Sequence, residues 1–389
     1  MRLRKNVKHL SPGEKAAYVN AVLTLKTKPS VMHPADPGFS RYDDYVELHM
    51  NAMMTSPLPG WAHRGPAFFP WHRVMLLQFE NDLVGIDANV TIPYWDWTDA
   101  ASDPFTADFL GGNGDSTKQD KVTDGAFAYD AGHWNVVVTD NAGDPAFLRR
   151  QFGGVDPIHP ETLPTTAMVA GALATTPYDT PSYNSFSSGF RHEVETHHNT
   201  VHRFVAGNMG DMTSPNDPVF FLHHANIDRL WMMWQQIQKQ QNSGVAPYAP
   251  VSGAATGHNL NDLLIFSDGM MPAPFPGMYT PAGVIDNLAL DYTYEEGAIV
   301  IPDKLVHLAA IARILWGIVN DAPGVWIGPD GRPHRVPGGP GDPVFAGLAL
   351  GLSSGLGMSS PDVAKALRDA DLRGRVGNIA ERLMSQQIG

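Results

Sequence analysis

Apolar residues recur along this chain at helical spacing in several separate stretches, and the boundaries of most of them carry recognisable signals. Ser11-Pro12-Gly13-Glu14 supplies a cap, a helix-opening proline and a capping-box glutamate, so a first helix is expected to run to about Lys26. A second is expected after Ser40, where Val46, His49 and Met53 share one face. A third should follow Pro70 with His72, Leu76, Phe79 and Leu83 inward, which puts His72 in its first turn. From Thr98 to Ser188 the chain is rich in Gly, Pro, Asp and Thr with little sustained period, and reads as long loops walling a pocket.

Helical patterning resumes with Val194, His198, Val201 and Val205 and stops near Gly207. Asn216 or Asp217 then caps a helix with Pro218 in its first turn, which turns Phe220, His223, Ile227, Leu230, Trp234 and Ile237 inward. After Tyr294 the composition changes. Asp303 to Asn320 reads as an amphipathic helix, Pro323 to Pro343 as a Gly/Pro linker, and Ser360-Pro361-Asp362 as the opening of one or two short polar helices. The expected organisation is therefore a main domain over residues 1–300 and an extension over 301–389.

The 389 residues are enough for a large core, and 10% aromatic with 17% charged residues fits a compact globular chain. A formal charge of −13 argues against nucleic acid or an anionic membrane as partner. The chain has no cysteine, which excludes disulfides, thiolate metal sites and cysteine nucleophiles together, so any metal must be held by nitrogen and oxygen. The basic start Met1-Arg2-Leu3-Arg4 has no apolar region after it, and no apolar run reaches the roughly 18 residues of a membrane span. The expectation is a cytoplasmic protein, or a secreted one where a removed signal or a partner carries it out.

Two histidine trios dominate what chemistry remains: His49, His63 and His72, then His198 and His202 with His224. His198 and His202 lie one helical turn apart on one face, a spacing that lets two imidazoles share a metal. A zinc peptidase with this spacing needs a glutamate after the first histidine, and here that position is Asn199, which takes no proton. Glu195-Thr196-His197-His198 matches a di-iron pair, but only once. Imidazole-only coordination favours copper among redox metals. One inward histidine is ordinarily a core residue, whereas six in this arrangement point to a dinuclear centre. His223 and His224 point to different sides of their helix, so one should be a ligand and the other a support. His192 and His197 read as supports, and His9, His33, His133, His159, His258, His307 and His334 as surface or structural residues.

The run His63-Arg64-Gly65-Pro66-Ala67-Phe68-Phe69-Pro70-Trp71-His72-Arg73 resembles the first copper signature of tyrosinases and polyphenol oxidases of bacterial type. Ser214-Pro215-Asn216-Asp217-Pro218-Val219-Phe220-Phe221-Leu222-His223-His224-Ala225-Asn226-Ile227-Asp228-Arg229-Leu230-Trp231 resembles the second, and His198-Asn199-Thr200-Val201-His202 the pair before it. Pro93-Tyr94-Trp95-Asp96-Trp97 is a further family-like segment.

Over roughly residues 1–295 the resemblance implies a mainly α fold, with two copper ions in a four-helix bundle and His224 rather than His223 as ligand. It implies an enzyme that uses O2 to hydroxylate monophenols ortho to the hydroxyl and to oxidise o-diphenols to o-quinones, as in melanin formation. The implied partners are a phenolic small molecule and a copper-delivery protein. Glu195 and Asn199 correspond to the residues that hold a proton-accepting water, and Arg203 and Met212 to positions bordering the substrate pocket. Trp61 stands where some relatives carry a cysteine crosslinked to the histidine two residues on. Tyr292-Thr293-Tyr294 resembles the motif that closes the catalytic domain against an N-terminal arginine, here Arg4.

Two other readings stay open: a catechol or o-aminophenol oxidase without effective hydroxylation, and an oxygen carrier of hemocyanin type. The extension, with Trp316, Trp326 and Phe345 but no tyrosine, reads as a lid, an assembly module or a packing helix over Leu305 to Val319.

Overall fold

A computed structural model describes residues 1–54, 60–267 and 274–295, together with 325–327 and 333–335. It divides into one unit of Met1–Gln238 with Gly244–Ile299, and a second of Lys239–Ser243 with Val300–Gly389.

In the first unit, strand β1 (Arg2–Arg4) leads to helix α1 (Pro12–Leu25). The α1 start is a reciprocal box, with Glu14 N–H donating to Ser11 Oγ at 3.3 Å and Ser11 N–H to the Glu14 carboxylate at 2.9 Å. Helix α2 (Arg41–Met54) opens the same way, with Ser40 and Asp43 exchanging bonds. That start fixes which face turns inward, and Tyr42, Tyr45, Val46 and His49 are all buried. Helix α3 (Phe68–Ile86) begins two residues before Pro70. Proline is tolerated there because first-turn N–H groups have no helical partner. The earlier start moves His72 just past the first turn, where its ring meets the Phe68 carbonyl.

The long middle segment contains little regular structure: a two-residue pairing of β2 (Gly114–Asp115) with β3 (Lys121–Val122), and the short helices α4 (Tyr129–Gly132) and α5 (Thr166–Leu173). It is pinned by buried polar contacts. Arg150 makes two bonds to Asp217 and donates to the carbonyls of Leu110, Gly111 and Gly112. Helix α6 (Phe190–Val205) ends where Ala206 and Gly207 both take positive φ. A Cβ on Gly207 would lie 2.2 Å from the Arg149 carbonyl oxygen, so only glycine fits this exit. Helix α7 (Val219–Gln240) starts after Pro218, with Asp217 accepting the Val219 N–H at 3.0 Å.

Helices α2, α3, α6 and α7 form a bundle joined by aromatic rings. Phe79 of α3 stacks on Phe221 of α7 at 3.5 Å between centroids, and Tyr45 of α2 meets both edge-on. Phe190 of α6 lies between Phe69 and Trp234. Each such pair contributes about 0.5–1.5 kcal/mol beyond its buried area.

Strand β4 (Tyr292–Tyr294) pairs in parallel with β1, Arg4 opposite Tyr294. Beneath this clasp Asp228 accepts from Arg73, Arg4, Tyr292 and Tyr294, and Arg4 also pairs with Glu80. Of the second unit, β5 (Val325–Ile327) and β6 (Pro333–Arg335) form an antiparallel pair. They fall inside the stretch read as a linker: Val325, Trp326 and Ile327 form a short apolar run that glycines and prolines around it masked. The expected helices at 303–320 and after Ser360 lie outside the described residues. Among the described residues no helix is long and apolar enough to cross a membrane.

Candidate metal centre

Five of the six predicted ligand histidines come from the bundle: His49 from α2, His72 from α3, His198 and His202 from α6, and His224 from α7. His63 sits on the loop before α3. The ligand-capable atoms of His49, His63 and His72 lie within 4.8 Å of one another, as do those of His198, His202, His223 and His224. The groups adjoin, with His72 stacked on His224 at 4.2 Å and His63 5.7 Å from His198.

Hydrogen bonds at the back of four of these rings set their tautomers. His49 Nδ1 donates to the Met212 carbonyl (2.9 Å), His72 Nδ1 to that of Phe68 (2.8 Å) and His202 Nδ1 to that of Met209 (2.7 Å). His198 Nδ1 faces Asn199 Oδ1 at 3.0 Å. A carbonyl can only accept, so each Nε2 is left as a bare lone pair. The Nε2 atoms of His198 and His202 then face each other at 3.0 Å, and that of His224 lies 3.2 Å from His198. Between His198 and His202 no proton is shared, so theirs is not a hydrogen bond, and two such lone pairs repel unless a cation sits between them.

In the first trio, His49 Nε2 and His72 Nε2 are buried without a hydrogen-bond partner among the described residues. Leaving such an atom unsatisfied costs about 1–3 kcal/mol. A metal offsets that cost and the repulsion together, so the residues fit two ions. Burial lowers the pKa of every one of these rings, His49 to about 3 and His202 to about 4, so protons do not compete for the lone pairs near neutral pH.

His223 is oriented differently. The Trp97 indole donates to its Nδ1 at 3.0 Å, so the proton of the neutral ring is on Nε2. The Trp97 contact was not legible in the sequence, although Trp97 belongs to the Pro93–Trp97 segment.

Glu195 is 5% exposed, which excludes a merely solvated charge on a helix. Its Oε1 accepts the Arg64 N–H at 2.6 Å and its Oε2 accepts from Arg191 at 2.6 Å, while Arg191 also makes two bonds to Asp179. Burial raises the Glu195 pKa, opposed by Arg191 and the Arg64 N–H. Asn199 lies one turn on, exposed beside His198. Arg203 is exposed and pairs with Glu161 at 2.5 Å. Met212 is half-buried, and its backbone carbonyl accepts from His49. Sequence reasoning also missed Arg191, Asp179 and the buried position of His258, since an ion pair twelve residues apart in a loop-rich stretch leaves no periodic signal.

A sequence model of the common central domain of tyrosinase matches residues 39–237. A tyrosinase of Streptomyces glaucescens is 41% identical over 306 residues, covering 76% of this chain and 99% of that protein. A grixazone synthase of Streptomyces griseus is 32% identical, covering 76% of this chain and all of that protein. Among solved structures, a polyphenol oxidase from Thermothelomyces thermophila superposes with a TM-score of 0.53 at 24% identity, over 76% of this chain and 89% of that one, a likeness of fold.

Proposed function

The chain belongs to the tyrosinase family, and we propose that within this family of dicopper oxidases it hydroxylates monophenols ortho to their hydroxyl and oxidises the resulting o-diphenols to o-quinones. The ligands in this reading are His49, His63 and His72 for one copper and His198, His202 and His224 for the other. His223 is a support, because the proton that Trp97 forces onto its Nε2 blocks the lone pair. Bound there, copper supplies the activation of O2. The burial of the rings supports loading by a copper-delivery partner.

The observation that carries hydroxylation is the buried Glu195 carboxylate, fixed beside the ligand pair with Asn199 one turn away. A carboxylate offers about four acceptor sites, and two are used, which leaves room for a water. With its Oδ1 taken by His198, the Asn199 amide has N–H groups left to orient that water. The phenolic proton passes to the water and on to Glu195, whose raised pKa makes it a better base near neutral pH. Arg203 and Met212 border the substrate in the same reading.

The rival, a catechol or o-aminophenol oxidase, is favoured by the tight engagement of Glu195 with Arg191. Glu195→Gln separates them. Monophenol turnover should fall about 100-fold, the low end for a general base, and diphenol turnover much less. Equal loss on both substrates, measured by quinone formation at matched copper content, would reject a proton-accepting role.

A further inference from the structure

His63 is the ligand that no helix carries, and the loop bearing it is tied at both ends by one imidazole from far along the chain. His258 Nδ1 accepts the Ala67 N–H at 3.2 Å, which places the proton of the neutral ring on Nε2, and the ring also bonds the backbone of Gly60. Between those ends the Tyr178 hydroxyl donates to the Pro66 carbonyl (2.7 Å), and Glu195 holds the Arg64 N–H. Arg64 has φ of +62°, a left-handed conformation that costs a non-glycine residue about 1 kcal/mol or more and persists only when the surroundings hold it. Helical ligands are placed by their own backbone ladder. His63 lacks that ladder and depends on ties of this kind.

His258 is itself rigidly placed. It is 1% exposed, its carbonyl accepts from the Tyr248 hydroxyl at 2.7 Å, and the Asn259 and Asp262 side chains knot the turn around it. Burial lowers its pKa to about 4, so near neutral pH the ring stays neutral and serves as donor and acceptor at once.

We propose that His258 is a positioning residue for the first copper site, clamping Gly60 and Ala67 so that His63 reaches the ion shared with His49 and His72. The proposal rests on the reading of His63 as a ligand. It assigns His258 a function that its distance from both trios in the sequence conceals, and it makes the first site dependent on a segment beyond α7.

The test uses the full copper-loaded chain, with copper per chain measured by elemental analysis and retention by competition against a chelator. His258→Ala should weaken one copper 10–100-fold, the usual cost of removing a group that orients a ligand, and leave the other in place. His258→Asn, which keeps an acceptor near the Nδ1 position, should recover much of that affinity. Combined with His202→Ala, which removes the second copper, His258→Ala should leave the chain nearly copper-free. Unchanged retention of both coppers in His258→Ala would overturn the proposal, and so would parallel loss of both in His258→Ala and His258→Asn, which signals general loosening. His63→Ala runs alongside: if that variant keeps two coppers, the ligand reading fails, independently of His258.

Discussion

Replacing His202 by alanine should abolish phenol oxidation, lowering kcat by more than about 100-fold, since even a group that merely orients a ligand is worth 10–100-fold in affinity or activity. The loss follows from the geometry of α6. His202 Nε2 faces His198 Nε2 at 3.0 Å, and without it the second site keeps two nitrogens where three converge. Elemental analysis of the variant should give one copper per chain. His223→Asn is the informative companion, because asparagine keeps an acceptor for the Trp97 indole while removing the ring. It should retain both coppers and most activity. If His223→Asn loses copper while His224→Ala keeps it, the ligand of the adjacent pair is the first histidine and the tautomer argument is wrong.

The second large effect concerns stability. Asp228 is buried, and its carboxylate accepts from Arg73 at 2.6 Å, Arg4 at 3.3 Å and the hydroxyls of Tyr292 and Tyr294 at 2.6 Å each. Burial opposes its charge, yet Arg73, Arg4 and the tyrosines outweigh that and hold its pKa below the ordinary carboxylate range. Asp228→Asn takes the counter-charge from the buried Arg73 guanidinium and leaves Arg4 with Glu80 alone, and breaking such a pair costs about 3–5 kcal/mol. A denaturant titration should show that loss, with a thermal midpoint lower by roughly 5–15 °C for a unit of this size. Because the folded pKa is depressed, the contribution of Asp228 is present above an unfolded value of about 3.9 and is lost as pH falls through the lower folded value. A variant within 1 kcal/mol of the parent, on the scale of an exposed pair, would show that the clasp adds little.

The sequence revealed most of the bundle because its helix starts are chemically explicit. Ser11 and Glu14 form the box that their spacing predicts, and Asp217 caps α7 ahead of His224. The inward histidines were legible for the same reason, since period and capping together fix a helix face. Pro70 misled by two residues: a proline is as acceptable within the first turn as at its start, so it marks a helix opening only loosely. What stayed hidden was long-range and polar. Trp97 reaching His223, His258 reaching Gly60 and Ala67, and Met212 offering its carbonyl to His49 all depend on how loops return to the bundle. No local pattern encodes that return. The pairing of Arg4 with the Tyr292–Tyr294 strand was legible only through family resemblance.

The central claim is that two histidine trios, with the tautomers of His49, His72, His198 and His202 set from behind, hold two coppers that oxidise phenols. It is tested most directly by loading the purified chain with copper, measuring metal per chain and following quinone formation from a catechol with O2 admitted and excluded. The account predicts two coppers per chain and catalytic quinone production that requires both copper and O2. A single bound ion, or two coppers without catalytic turnover of catechol, would contradict it.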